Sequence, residues 1–151
     1  MRTSALSCSL AGVDELVADT LVVCLTEDQR PLRGAPGFVD WRLCGRISRL
    51  LETGAFTGAK SEKLLLPTQG RLPTPRVVLL GWGRDDELGA KATRRMEAAC
   101  NVLGDLQVKR VAIALPEPVR PLLPLVDQYL LGPLGSRLVG VFEPEELDTD
   151  G

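Results

Sequence analysis

An uninterrupted apolar run, Leu21-Val22-Val23-Cys24-Leu25, is flanked by Thr20 and Thr26. A run rich in β-branched residues and without polar alternation predicts a strand buried on both faces. Two further runs behave alike: Arg76-Val77-Val78-Leu79-Leu80-Gly81, and residues 108–115 around Val111-Ala112-Ile113-Ala114. Weaker signals predict a first strand over residues 3–10, a short apolar run at Leu64-Leu65-Leu66 ended by Pro67, and a last strand over residues 136–142. Between these runs the period shifts towards that of a helix. Residues 37–52 carry Leu43, Cys44, Ile47, Leu50 and Leu51 as one stripe and predict a single helix that Gly54 stops. Residues 86–103 place Leu88, Ala92, Met96, Ala99, Cys100 and Leu103 on one face. Asp85, Asp86 and Glu87 suit the electropositive start of that helix, and Gly104 its end. Pro116, Pro118, Pro121 and Pro124 crowd the next segment, so only a short helix is expected there, over residues 122–131, before Gly132-Pro133.

Residues 27–37, 54–58 and 69–75 read as loops and turns, and residues 13–17 as a connector. Strand, helix and strand between residues 76 and 115 form a βαβ unit, whose right-handed crossover makes the two strands parallel. The order of elements predicts a three-layer α/β/α domain with a mixed, mostly parallel sheet. One domain is expected over residues 1–142. Residues 143–151 are acidic and are expected to form a flexible tail.

Length and composition narrow the function. A chain of 151 residues with 44% hydrophobic and 25% charged residues is ordinary for one globular domain. A formal net charge of -2 weighs against a strongly basic nucleic-acid or membrane binder. No convincing signal peptide opens the chain and no apolar run reaches membrane-spanning length, so a soluble, cytoplasmic protein is expected. Cys8, Cys24, Cys44 and Cys100 match no metal or redox spacing; Cys24 and Cys44 sit among apolar neighbours and read as buried thiols. Histidine is absent, and no Ser or Cys has an evident base partner, so neither a catalytic constellation nor a metal site is expected.

Three features bear on binding. Gly81-Trp82-Gly83 reads as the turn from a strand into a helix. It is either a plain tight turn, with Trp82 at the surface or at a contact, or a cradle whose backbone amides hold a phosphate. Arg42, Arg46 and Arg49 fall on one stripe of the predicted helix, with Arg30 and Arg33 in the loop before it. The stripe is a solvated face, a protein contact or a phosphate-backbone contact, and net acidity with few aromatics argues against the last. Trp41 beside it is an interface anchor or a partly buried core residue. The third feature is the segment around Leu122, Leu125 and Tyr129, apolar on several faces and therefore either deeply buried or shared with a partner.

Three segments in this order carry a resemblance: residues 20–37, residues 54–66 (Gly54-Ala55-Phe56-Thr57-Gly58-Ala59-Lys60-Ser61-Glu62-Lys63-Leu64-Leu65-Leu66), and Arg76-Val77-Val78-Leu79-Leu80-Gly81-Trp82-Gly83. Together they resemble the N-terminal domain of the leucyl aminopeptidase (peptidase M17) family, over roughly residues 5–142. The family's turn of the form G-x-F-x-G-K-x-G-E precedes a Leu-rich strand, and its V-L-L-V-G-L-G strand precedes a helix. Trp82 and the Pro-rich stretch at 116–124 depart from that pattern. The resemblance implies a macro-domain-like fold. It also implies a domain without catalytic residues or cofactor, serving assembly and regulation, and in some bacterial members DNA binding. The metal-binding peptidase domain of the family has no counterpart in this sequence. The expected function is a non-catalytic regulatory or interaction module, acting by self-association or by binding and controlling a partner protein. Trp41, Arg42, Arg46, Arg49, Leu122, Leu125 and Tyr129 are its candidate contact residues. The alternative is nucleotide or ADP-ribose binding at Gly81, Trp82 and Gly83, with DNA binding and hydrolysis further behind.

Overall fold

The computed structural model describes residues 5–6, 8–28, 30–60, 62–84, 98, 101, 103–114 and 137–142. Among them, six strands form one sheet in the order β1-β6-β5-β2-β4-β3. The strands are β1 (Ala5–Leu6), β2 (Thr20–Thr26), β3 (Lys63–Pro67), β4 (Arg76–Gly83), β5 (Val111–Ala114) and β6 (Leu138–Phe142). All neighbours are parallel except β3 and β4, which pair antiparallel from Lys63 opposite Leu80 to Pro67 opposite Arg76. The mixed, mostly parallel sheet expected from the apolar runs is present. The Leu64–Leu66 run supplies its antiparallel edge strand.

β2 lies at the centre, paired with β4 on one side and β5 on the other, and all seven of its residues are buried. Alternate residues serve the two faces of the sheet. Leu21, Val23 and Leu25 join Val77, Leu79, Ala112, Ala114 and Phe142 in one core under the helices α1 (Leu10–Asp14), α2 (Gly34–Arg42) and α3 (Arg46–Thr53). The residues between them, among them Val22, Cys24, Val78, Leu80 and Ile113, are buried too. Burial pushes the Cys24 thiol up to about 12, so it behaves as a small apolar side chain.

The entry to β2 is fixed by Asp19. Its carboxylate accepts the Lys109 and Arg110 amides, both at 2.8 Å, the Thr20 hydroxyl at 2.8 Å and an Arg76 guanidinium N–H at 3.2 Å. One side chain thus ties together the leading ends of β2, β4 and β5. Partial burial alone raises the Asp19 carboxyl, but the bonds from Arg110, Thr20, Lys109 and Arg76 outweigh it and hold the group below its ordinary value.

Several boundaries differ from expectation. Of the first strand expected over residues 3–10, Ala5–Leu6 is strand among the described residues, and its later part gives way to α1, because Ser9 accepts the Gly12 amide at 3.0 Å and caps that helix. The helix over 37–52 is broken into α2 and α3, and α2 begins at Gly34. At the break, Gly45 N–H donates to Asp40 O at 2.9 Å and Cys44 N–H to Trp41 O at 3.1 Å. These are the paired bonds of a Schellman end, with Cys44 in the left-handed position that glycine usually takes (φ 58). Cys44 is therefore exposed, not part of the core stripe, whereas Leu43 and Ile47 are buried. Of the helix expected over 86–103, Ala98, Asn101 and Leu103 are described and helical, and Leu103 is fully buried. That helix runs through Gly104, and the left-handed residue that follows is Gln107 (φ 54). Residues 85–97, 99, 100 and 102, which hold the rest of that helix, and the segments 115–136 and 143–151, which hold the helix expected over 122–131 and the acidic tail, lie outside the described residues.

A new start for α3 needs a cap, and Asp40 supplies it from the preceding helix. Its carboxylate accepts the Ile47 amide at 2.8 Å and the Ser48 amide at 3.1 Å, together with the Ser48 hydroxyl. Asp40→Ala is expected to lower the denaturant midpoint of unfolding by the equivalent of about 1–2 kcal/mol with an unchanged slope, and Asp40→Asn to lower it less. For Asp19, the lowered carboxyl adds stability that is complete above the unfolded value near 3.8 and is lost as pH falls through the folded one. Urea titrations of wild type and Asp19→Asn should therefore differ by a constant amount at neutral pH and converge below about pH 4.

Candidate functional site

Two places concentrate the chemistry: the corner between α2 and α3, and the C-terminal ends of β2 and β4. At the corner, Trp41 is 72% exposed, the largest exposed apolar side chain among the described residues. The reading of Trp41 as partly buried core is thereby corrected: it stands in the last turn of α2, on the side away from the buried Val39 and Asp40. The helix break also separates the arginines that the sequence placed on one stripe. Arg42 stays on α2 and turns to α1, where its Nε meets Asp14 Oδ1 at 2.9 Å. Arg46 and Arg49 stand on α3, and Arg49 donates to the Cys44 carbonyl at 3.2 Å. Arg71, which no sequence pattern singles out, reaches the same corner and contacts Cys44 Sγ at 3.0 Å. The corner therefore carries one exposed aromatic ring, and two guanidinium groups, those of Arg49 and Arg71, meet at Cys44. Leu122, Leu125 and Tyr129 lie outside the described residues.

Gly81-Trp82-Gly83 is the last part of β4, not a turn. Trp82 is 1% exposed, and its buried indole N–H has no hydrogen-bond partner among the described residues. A surface position for Trp82 is thus corrected. The amides expected to face a phosphate are engaged: Gly81 N–H donates to Glu62 O and Gly83 N–H to Gly58 O, both at 2.8 Å. Gly83 O in turn accepts the Glu27 amide at 2.8 Å.

What occupies these groups is the segment between α3 and β3. The αL glycine Gly54 ends α3, Phe56 is buried in the core, and residues 57–59 then cross the ends of β2 and β4 as a strap. The approach is too close for side chains. A Cβ on Gly58 (φ 88) would meet Thr26 O at 2.5 Å, and one on Gly81 would meet Ala59 O at 1.8 Å. Arg30 pins the strap from above, with Nη1 donating to Thr26 O at 3.0 Å and Nη2 to Thr57 O at 2.9 Å.

Glu62 closes the strap on itself. Its carboxylate accepts the Thr57 amide at 3.1 Å and the Ala59 amide at 2.9 Å, and also the Thr57 hydroxyl. Partial burial alone raises this carboxyl. The Thr57 hydroxyl and the Ala59, Thr57 and Gly58 amides outweigh that effect and hold it below its ordinary value. Sequence reasoning quoted Thr57 and Glu62 within a motif but gave them no role. The available signal was Gly58 between a hydroxyl residue and a carboxylate four positions on, a pattern suited to a tight, internally bonded loop. Among the described residues, no group of three or more Cys, Asp or Glu side chains is placed to hold a metal ion. No described helix is long and apolar enough to cross a membrane.

Comparison with known proteins agrees with this architecture. Residues 22–121 match the family model described as the cytosol aminopeptidase family, N-terminal domain. A probable cytosol aminopeptidase of Pseudomonas syringae pv. tomato is 36% identical over 94 residues, covering 62% of this chain and 18% of that protein. One from Alkaliphilus oremlandii is 30% identical over 86 residues, covering 57% and 17%. The chain thus matches about a fifth of the length of these relatives. Among solved structures, a mutant of tomato leucine aminopeptidase superposes with a TM-score of 0.52 at 20% identity, over 76% of this chain and 23% of that one. The macrodomain of Mycobacterium tuberculosis DarG superposes with a TM-score of 0.64 at 14% identity, over 95% of this chain and 99% of the other. Both likenesses establish a macro-like α/β fold, and the family match, which takes in the strap and all of β2 but Thr20 and Leu21, decides the lineage: the chain belongs to the cytosol aminopeptidase family by way of that family's N-terminal domain.

Proposed function

We propose that this domain is a non-catalytic regulatory and interaction module, working through self-association or through binding and control of a partner protein. The observation that supports the reading best is the exposure of Trp41 at the end of α2, just before the break after which Arg46 and Arg49 follow on α3. A tryptophan left in water forgoes a large apolar burial, and Trp and Arg are the residue types that most often dominate binding energy at interfaces. Leu122, Leu125 and Tyr129 are proposed as a second part of the contact surface. The engaged Gly81 and Gly83 amides lend no support to phosphate binding at Gly81-Trp82-Gly83 in this conformation.

Light scattering coupled to size exclusion over a wide concentration range, with pull-downs from cell extract, tests the proposal. Trp41→Ala, an exposed substitution, is expected to leave the fold intact and to weaken self-association or partner capture by roughly 2 kcal/mol, some thirtyfold. The charge reversals Arg46→Glu and Arg49→Glu should act in the same direction and mainly slow association. A strict monomer whose captured proteins are the same for wild type and Trp41→Ala would refute the reading.

A further inference from the structure

The strap has the donor set of an anion site, and its own chain supplies the anion. Two backbone amides, those of Thr57 and Ala59, converge with the Thr57 hydroxyl on one carboxylate, and Gly58 between them takes the left-handed conformation that lets the flanking amides face the same point. A concavity of backbone N–H groups of this kind is an anion-binding nest. The bonds lie at the surface: Thr57 is exposed and Glu62 only half-buried. Arg30 adds a guanidinium on the carbonyl side of Thr57. Lys60 and Lys63 flank Glu62 in the chain, and Glu27 and Arg84 are paired with each other at 3.4 Å.

We propose that residues 57–59 form an oxyanion-binding nest that Glu62 keeps filled, and that a carboxylate or phosphate group from outside binds there when the Glu62 side chain is displaced. The same loop carries the carbonyls that satisfy Gly81 and Gly83, those of Glu62 and Gly58. Glu62 is tethered three residues from Ala59, and its effective concentration at the nest exceeds that of any dissolved small anion. Wild type therefore takes a free oxyanion only in exchange for its own carboxylate, which keeps the site closed to simple salts. This inference is independent of the Trp41 surface.

The test removes the internal anion and offers another. Glu62→Ala and wild type are followed by amide hydrogen exchange at Thr57, Ala59, Gly81 and Gly83, in formate, in inorganic phosphate, and in chloride at matched ionic strength. Exchange at these amides is expected to quicken roughly tenfold or more in Glu62→Ala in chloride, the loss of about one charge-assisted hydrogen bond. Formate, phosphate or both should restore protection in a saturable manner, while wild type stays unchanged. Restoration by formate alone defines a carboxylate site, and by phosphate a phosphate site. Unchanged exchange in Glu62→Ala would overturn the proposal, because the carboxylate would then not hold the strap. Faster exchange that neither anion reverses would overturn it equally, because the nest would then not be selective for oxyanions. Glu62→Gln, which keeps the size and one acceptor oxygen, carries the same readout if the alanine variant does not fold; it should fall between the two and respond less to added anion.

Discussion

β2 has no face and no side on water. β4 and β5 take its two edges, and all seven of its residues are buried. The β4 ladder runs from Thr20 to Thr26 and the β5 ladder from Thr20 to Val23, so the unmet demands fall towards the ends of the strand, where the ladders stop and the chain must turn. The protein answers differently at each end. At the start, one carboxylate, Asp19, gathers amides from the connection into β5 and a guanidinium from β4, so three strands begin in register. At the finish, the backbone of another segment is laid across: the strap meets β4 through Gly81 and Gly83, and Arg30 bonds both Thr26 O and Thr57 O. The second solution demands glycine at Gly58 and Gly81, since neither position has room for a Cβ.

That choice bears on where binding can occur. In open α/β sheets, ligands favour the crevice beyond the carboxyl ends of the strands. Here the part of that edge formed by β2 and β4 is covered, and the amides that would greet an anion are spent within the chain. The fold shared with a macrodomain therefore does not bring a free cradle at Gly81-Trp82-Gly83 with it, which illustrates why function is argued from a site and not from an architecture.

The strands were legible because burial on both faces writes itself as an uninterrupted apolar run, visible at 20–26, 76–81 and 111–114. The sheet's antiparallel edge strand was seen only as a short run, since Lys63-Leu64-Leu65-Leu66-Pro67 says nothing of direction. The break between α2 and α3 was not legible. Leu43, Ile47, Leu50 and Leu51 keep helical spacing across it, and the residue that turns left-handed is Cys44, which has no preference for that region. The stabilising groups sit elsewhere: Asp40 caps a helix that starts six residues after it, a spacing outside the usual capping pattern. Arg71 at the corner and Glu62 under the strap were missed for a related reason. Each acts through contacts that depend on where a loop closes, and loop closure leaves no periodic trace in the sequence.

The corner and the strap are two ends of one short element. α3 starts on the Asp40 carboxylate, next to Trp41, and finishes at Gly54, after which Phe56 returns its amide to Leu50 O at 3.2 Å before the strap begins. Ile47 and Phe56 are both buried in the same core, so α3 is held to the sheet at each end and cannot slide without opening that core. An eight-residue helix fixed in this way has little freedom of its own. The left-handed turn at Cys44 and Gly45 ends α2 just after the exposed Trp41 and redirects the chain into α3, and the left-handed Gly54 ends α3 before the strap that covers β4, so backbone conformation at three residues sets where this element begins and ends.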